Sequence, residues 1–298
     1  MLPGTGCAIL PAVDDIIVSP QWQQLAVEEL RGTLLIIGAS DTGKSSLARY
    51  IFQRLARNGT PTAYLDADMG QSTLWLPTTL NLALTREPGD PTFPPPGDRI
   101  SFFVGSTSPR GHMLPVLVGT HRLQQEARSR GAQAVVVDTT GLIDPSQGGK
   151  ALKQWMIELL APTMVIGLQR RQELEPILWP LRHDARVRTA ELPVPPHVRQ
   201  RTREERVAQR RRRFAHYFEG ARSLVVNVRQ MAVYNVENMV PGALLAFQDG
   251  RGLTLELGVA QEVDSRRGMV TVRTPLPGPE QAASIRFGDA RWDQSQQE

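Results

Sequence analysis

The segment Gly38-Ala39-Ser40-Asp41-Thr42-Gly43-Lys44-Ser45-Ser46 carries the clearest chemistry in the chain. It satisfies the template G-x-x-x-x-G-K-[ST] in the required context, with the apolar run Leu34 to Ile37 before it and a helical pattern after it. Glycines let the backbone wrap a phosphate chain, and successive N–H groups at the positive end of a helix hold the anion. Lys44 is placed to reach the β and γ phosphates, and the Ser45 hydroxyl to ligate Mg²⁺. The chain has only three lysines, which sharpens the assignment of this one. A bound nucleoside triphosphate is expected.

A triphosphate site also needs carboxylates at the C-terminal ends of neighbouring strands. Two segments supply them. Ala63-Tyr64-Leu65-Asp66-Ala67-Asp68-Met69-Gly70-Gln71-Ser72 ends one apolar run with two aspartates, which a continued strand would place on one face. Ala134-Val135-Val136-Val137-Asp138-Thr139-Thr140-Gly141 has the apolar-run-then-Asp form of a Walker B strand. Asp138 and Asp66 are expected to hold Mg²⁺ or its waters, which leaves Asp68 to act as a base.

Charge is concentrated in one place. The whole chain has 34 basic and 30 acidic residues, yet Arg199 to Arg213 alone contains eight Arg and two Glu, leaving 26 basic and 28 acidic residues elsewhere. Such a run suits a polyanion or a phosphate, or a solvated helix face. Arg201, Arg206 and Arg210 would share a face of a helix ending near Phe214 to Phe218, forming a lid over about 197–218. A phosphotransferase needs such a lid to exclude water and neutralise charge developing on the γ phosphate. Guanine specificity is not expected, because no Asn-Lys-x-Asp segment occurs.

The elements that must position these residues are legible as an alternation. Apolar β-rich runs at Thr33–Ile37, Thr62–Asp66, Ile100–Val104, Ala134–Asp138, Met164–Leu168 and Val187–Leu192 alternate with helical patterns at Lys44–Asn58, Met113–Arg130, Gly149–Leu160 and Glu173–Arg182. This predicts an α/β fold, a mostly parallel sheet covered by helices on both faces. Glu87 to Asp98, with five Pro and two Gly, reads as a surface loop. From about Leu224, runs at Leu224–Val228, Met231–Val236, Leu253–Val263 and Met269–Thr274 predict a small antiparallel β module without helices. The expected division is a P-loop domain over 1–222 and a β-rich domain over 223–298. The tail from Asp293 is polar and expected to fray.

Composition bounds the class. At 298 residues, 41% hydrophobic and 21% charged, the chain is long enough for a full core. No apolar run approaches the roughly 18 residues a membrane span requires. Met1 to Ala12 lacks the features of a leader, and the single Cys7 cannot form an internal disulfide, so a cytoplasmic location is expected. The five His lack metal-ligand spacing, and Trp75, Trp155 and Trp179 fall in apolar stretches that read as core.

The phosphate loop, Asp68-x-Gly70-Gln71, Ser108-Pro109-Arg110-Gly111, Asp138-Thr139-Thr140-Gly141 and Arg201-x4-Arg206-x3-Arg210 before Tyr217-Phe218 together resemble the polynucleotide 5′-hydroxyl kinase family. The likeness runs from about residue 30 to 220, and the β module resembles that family's C-terminal domain. The first thirty residues are too few for the N-terminal β domain of eukaryotic members, so the chain resembles the compact prokaryotic form. Members of the family act in RNA 3′-end, tRNA and pre-ribosomal RNA processing.

The resemblance implies an ATP- and Mg²⁺-dependent transfer of the γ phosphate to the 5′ hydroxyl of RNA, with DNA as a second acceptor to test. Lys44 and Ser45 would handle the donor, Asp68 would activate the hydroxyl, and Arg206 and Arg210 would clamp the phosphates. Gln71, Arg110, Thr139 and Arg201 would touch the nucleic acid. Where many eukaryotic members have Thr-x-Gly-Trp, this chain has Thr139-Thr140-Gly141-Leu142, which removes an indole for stacking on the terminal base. The competing readings are a P-loop ATPase or assembly factor without an acceptor, an inactive ATP-holding relative, and a nucleoside kinase. No membrane and no protein partner is indicated by the sequence.

Overall fold

The structure, a computed structural model, describes residues 16–85, 92–97 and 99–292. The expectations for Met1 to Ala12, Cys7 and the tail from Asp293 lie outside the described residues, as does much of the Pro-rich stretch. In chain order the elements are α1 (Pro20–Gln23), β1 (Gly32–Gly38), α2 (Lys44–Arg57), β2 (Thr62–Ala67), β3 (Thr79–Thr85), β4 (Ile100–Phe103) and α3 (Met113–Ser129). They continue as β5 (Ala134–Thr139), α4 (Gly149–Leu160), β6 (Met164–Gln169), α5 (Glu175–Leu181), β7 (Arg188–Pro193) and α6 (Arg203–Tyr217). Strands alone follow: β8 (Arg222–Asn227), β9 (Ala232–Tyr234), β10 (Ala243–Gln248), β11 (Thr254–Asp264), β12 (Met269–Thr274) and β13 (Ser284–Arg291), apart from short 3₁₀ turns.

The strand order β7-β6-β1-β5-β2-β3-β4 builds the α/β half. All pairs from β7 to β2 are parallel, and β3 runs antiparallel between β2 and β4. A parallel sheet with helices on both faces buries both sides of its central strands. Leu34, Leu35, Ile36 and Ile37 on β1 are accordingly all fully buried. Leu34 and Ile36 meet Leu47, Ile51, Phe52 and Leu55 of α2 on one face. Leu35 and Ile37 share the opposite core with Leu123 of α3, Leu152 and Met156 of α4 and Ile177 of α5.

Register sets the site. Ile36 lies opposite Asp138 on β5, and Asp138 lies opposite Asp66 on β2. The C-terminal ends of β1, β5 and β2 therefore open side by side, where open α/β sheets bind their ligands.

The strands from β8 onward enclose a separate core of Val226, Leu245, Phe247, Val270, Val272, Ile285 and Phe287. They join the main sheet through β11 on β4, with Thr254 opposite Ser101. The expected antiparallel pattern holds for most pairs, but β9 runs parallel to β13. The strands β3, β10 and β13 have no counterpart in the sequence expectations.

Two further readings are corrected. Trp155 and Trp179 are 63% and 62% exposed, on the outer faces of α4 and α5, whereas Trp75 is buried as expected. Arg201 precedes the lid helix instead of lying within it: Thr202 is the N-cap, its hydroxyl accepting from the Glu205 N–H while the Glu205 carboxylate accepts from the Thr202 N–H. The far end of α6 is anchored by Phe214 and Phe218, which are buried against Trp75, Phe103, Leu257 and Trp292. Tyr217 donates to Glu256 (2.6 Å) and accepts from the Leu257 N–H (2.8 Å).

Gly119 shows how closely α3 sits on the sheet. A Cβ there would meet Phe102 at 2.4 Å and Leu80 at 2.8 Å. Gly119→Val is expected to lower stability by about 1–3 kcal/mol through overpacking, as read from urea unfolding.

Candidate active site

The phosphate loop is shaped by its own backbone. Gly43, the residue before α2, has φ +90°, and a Cβ on Gly38 would lie 2.7 Å from both the Leu168 carbonyl oxygen and Thr42 Oγ1. Lys44 Nζ and Thr42 Oγ1 donate to the Ala39 carbonyl at 2.7 and 3.0 Å, closing the loop from inside. Lys44 is buried, and that burial pulls its ammonium below the ordinary lysine range, while Asp138, Asp68 and Asp41 pull it up.

Two cavities meet over this loop. The first, about 440 Å³, is lined by Ser40 to Ser46 together with Trp22, Arg49, Phe93, Val198 and Arg201, and has the position and polarity for a nucleotide. The second, about 370 Å³, is lined by Thr107 to Arg110, Thr140 to Asp144, Gln147 and Arg210. Ser40, Asp68, Gln71 and Arg206 line both cavities.

Asp68 is held rather than free to swing. Its Oδ1 accepts from the Gly70 and Gln71 N–H groups at 3.0 and 3.1 Å, which fixes the turn and leaves its other oxygen for a ligand. Arg210 lies close enough to Asp68 to feel its charge, and burial with the neighbouring Arg206 lowers its own pKa. Arg110 is exposed at the rim of the second cavity, and Leu142, in place of an indole, forms part of its wall.

Asp138 is buried, and burial, reinforced by Asp66, pushes its carboxyl up, with Lys44 and the nearby Ser45 hydroxyl acting against it. Its Oδ2 accepts from Tyr64 at 3.2 Å, while the buried Oδ1 has no hydrogen-bond partner among the described residues. An unsatisfied carboxylate oxygen beside the Ser45 hydroxyl is a hard-oxygen donor set that fits Mg²⁺.

Asp66 does not join it. Its Oδ2 accepts from Ser72 Oγ (2.7 Å), Leu74 N (3.1 Å), Thr73 Oγ1 (3.2 Å) and Thr73 N, and its Oδ1 from Asp68 N (3.1 Å). The metal role expected for Asp66 is therefore corrected: this carboxylate organises the loop that carries Asp68 and Gln71. Thr139 is also corrected. It is fully buried, donates to the Ile36 carbonyl at 2.7 Å and lines neither cavity; the following Thr140 and Gly141 do. Arg201 borders the first cavity, not the second. Gly38 and Ala39 shape the loop from beneath without lining either of these two cavities.

Sequence reasoning missed Lys153. It is fully buried on α4, and its Nζ donates to the Thr140 carbonyl at 2.7 Å. Burial pulls its pKa down to about 7, aided by Lys44 and opposed by Asp68 and Asp138. The readable signal was a lysine interrupting the apolar stripe Leu152, Met156, Ile157, Leu160.

Residues 38–220 match the family model described as mRNA cleavage and polyadenylation factor CLP1 P-loop. The chain belongs to the CLP1 P-loop family. Within that family it is 33% identical over 218 residues to a polyribonucleotide 5′-hydroxyl-kinase of Pyrococcus furiosus, covering 72% of this chain and 56% of the relative. It is 31% identical over 217 residues to the kinase of the same name from Methanocaldococcus jannaschii, with coverage of 72% and 56%. The chain thus spans a little over half the length of these relatives. A solved structure of wild-type Clp1p in complex with a Pcf11p fragment superposes with a TM-score of 0.66 at 16% identity, covering 91% of this chain and 77% of that one. That likeness concerns the fold.

Asp66→Asn would set amide hydrogens against the N–H and O–H donors now pointing at the carboxylate. It is expected to cost about 2–4 kcal/mol of stability in thermal or denaturant unfolding, because charged hydrogen bonds are lost and buried donors orphaned.

Proposed function

We propose that the chain is an ATP-dependent polynucleotide 5′-hydroxyl kinase, acting on RNA ends. The observation that carries the reading is the junction of two cavities at Asp68, Gln71, Ser40 and Arg206. A donor cavity alone would serve an ATPase; a second cavity sharing the carboxylate and the arginine supplies a place for an acceptor. The names of the archaeal relatives support RNA as that acceptor. A reducing cytoplasm remains the proposed location.

In this reading the triphosphate lies along Ser40 to Ser46, held by loop N–H groups and Lys44. Ser45 and Asp138 hold Mg²⁺, which supplies charge neutralisation on the phosphates when bound. The RNA end enters past Arg110 and the Leu142 wall, and its 5′ oxygen approaches the γ phosphorus beside Asp68. As the new P–O bond forms and the bond to the β–γ bridging oxygen breaks, Asp68 takes the hydroxyl proton and ADP leaves. Arg206 and Arg210 offset the charge spread over the equatorial oxygens. Among the described residues no aromatic side chain lines the acceptor cavity, so stacking adds little preference for one terminal base over another.

Asp68→Asn is expected to abolish phosphorylation of a 5′-hydroxyl oligoribonucleotide while leaving binding of a fluorescent ATP analogue unchanged; transfer at the wild-type rate would remove Asp68 as the base. Arg206→Ala is expected to lower kcat by about 10³-fold, by analogy with arginine fingers. Asp138→Asn is expected to raise the Mg²⁺ concentration needed for half-maximal transfer, read from a Mg²⁺ titration.

A further inference from the structure

A carboxylate at the centre of a phosphate-binding loop is electrostatically out of place. Asp41 is such a residue, and its side chain is only 5% exposed within the wall of the donor cavity. Its charge opposes a triphosphate unless committed elsewhere. The committed partners are on the lid. Asp41 Oδ1 accepts from Arg201 Nε at 3.0 Å, and Oδ2 accepts from the Arg201 N–H at 3.1 Å and from Arg206 Nη1 at 2.9 Å. Arg206 Nη1 also donates to the Arg201 carbonyl at 2.9 Å, and Arg201 Nη1 to Gln209 Oε1 at 3.2 Å, so the start of α6 is gathered around this one carboxylate. On the loop side, Arg170 donates to the Asp41 carbonyl, which fixes the residue from behind.

The two ends of α6 are held differently. The C-terminal end is buried in the aromatic cluster around Phe214, Phe218 and Trp292, whereas the first turn meets the phosphate loop through Asp41. Arg206 lies in that first turn and lines both cavities.

We propose that Asp41 is a positioning residue for phosphoryl transfer: its carboxylate docks the lid onto the phosphate loop and aims Arg206 at the junction of donor and acceptor. The acid does not act on the phosphate itself; it acts through Arg206, and the inference rests on Arg206 being a phosphate clamp. Asp41 also has φ +54°, a left-handed conformation that Asn and Gly accept readily. Asp41→Asn and Asp41→Gly therefore remove the charge, or the whole side chain, while suiting the backbone.

The test is a double-mutant cycle on the full chain, with D41N, D41G, R206A and D41G/R206A assayed for phosphorylation of a 5′-hydroxyl oligoribonucleotide and for melting temperature. D41G is expected to lower kcat by about 10- to 100-fold, with D41N less affected because its amide oxygen still accepts one arginine hydrogen bond. Adding D41G to R206A is expected to change kcat by less than about twofold, the sign that both substitutions remove one interaction. The proposal is overturned if D41G keeps the wild-type kcat, or if its loss multiplies in full on the R206A background. If R206A alone transfers at the wild-type rate, the lid reading falls and the role of Asp41 with it; a defect in R206A beside a normal D41G would sink the inference about Asp41 alone.

Discussion

Charge held away from water at the C-terminal ends of three adjacent strands is the constraint on which the rest depends. Asp138 and Asp66 are neighbours in register on β5 and β2, and Lys44 and Lys153 are buried beside them. Burying ionised groups is costly unless each is answered by an opposite charge or directed hydrogen bonds. Asp66 is answered by five donors in its own loop and Lys153 by the Thr140 carbonyl. Asp138 keeps one oxygen unanswered among the described residues, and it is there that a cation is proposed to bind. The fold thus separates carboxylates that build the site from those that work in it.

The same separation runs through the arginines. Arg213 donates to the Ser72 and Trp75 carbonyls, tying the lid to the loop that follows Asp68. Asp41 takes up both Arg201 and Arg206, Arg206 also lines both cavities, and Arg210 lines the second alone. The cluster that looks uniform in sequence is a set of different parts. Because the aromatic end of α6 is shared with the core beside β11 and β10, the C-terminal strands give the lid a fixed base.

What the sequence made legible was chemistry tied to local pattern. The phosphate loop, the apolar runs of β1, β2, β5 and β6, and α4 over Gly149–Leu160 all follow from spacing and periodicity. Strand β3 was not legible, because buried Thr79 and Asn81 interrupt its apolar character; they are satisfied by a network with Ser72 and Ser101 that only the tertiary fold supplies. Asp66 and Thr139 looked like ligands because nothing local says that one is saturated by residues six to eight positions later and the other by a carbonyl of β1. Arg201 is different: Thr202-Arg203-Glu204-Glu205 is a readable capping box that starts the helix at Arg203, two residues beyond it. The exposure of Trp155 and Trp179 shows that an apolar stretch on a helix does not tell which residue faces out.

The central claim is that the two cavities share one reaction, with a polymer hydroxyl as acceptor. It is tested most directly by following γ-labelled ATP with Mg²⁺ and matched 5′-hydroxyl RNA and DNA oligonucleotides, beside free nucleosides. The account predicts label on the 5′ end of the RNA and none on free nucleosides. Release of labelled inorganic phosphate with no labelled oligonucleotide would contradict it and leave an ATPase.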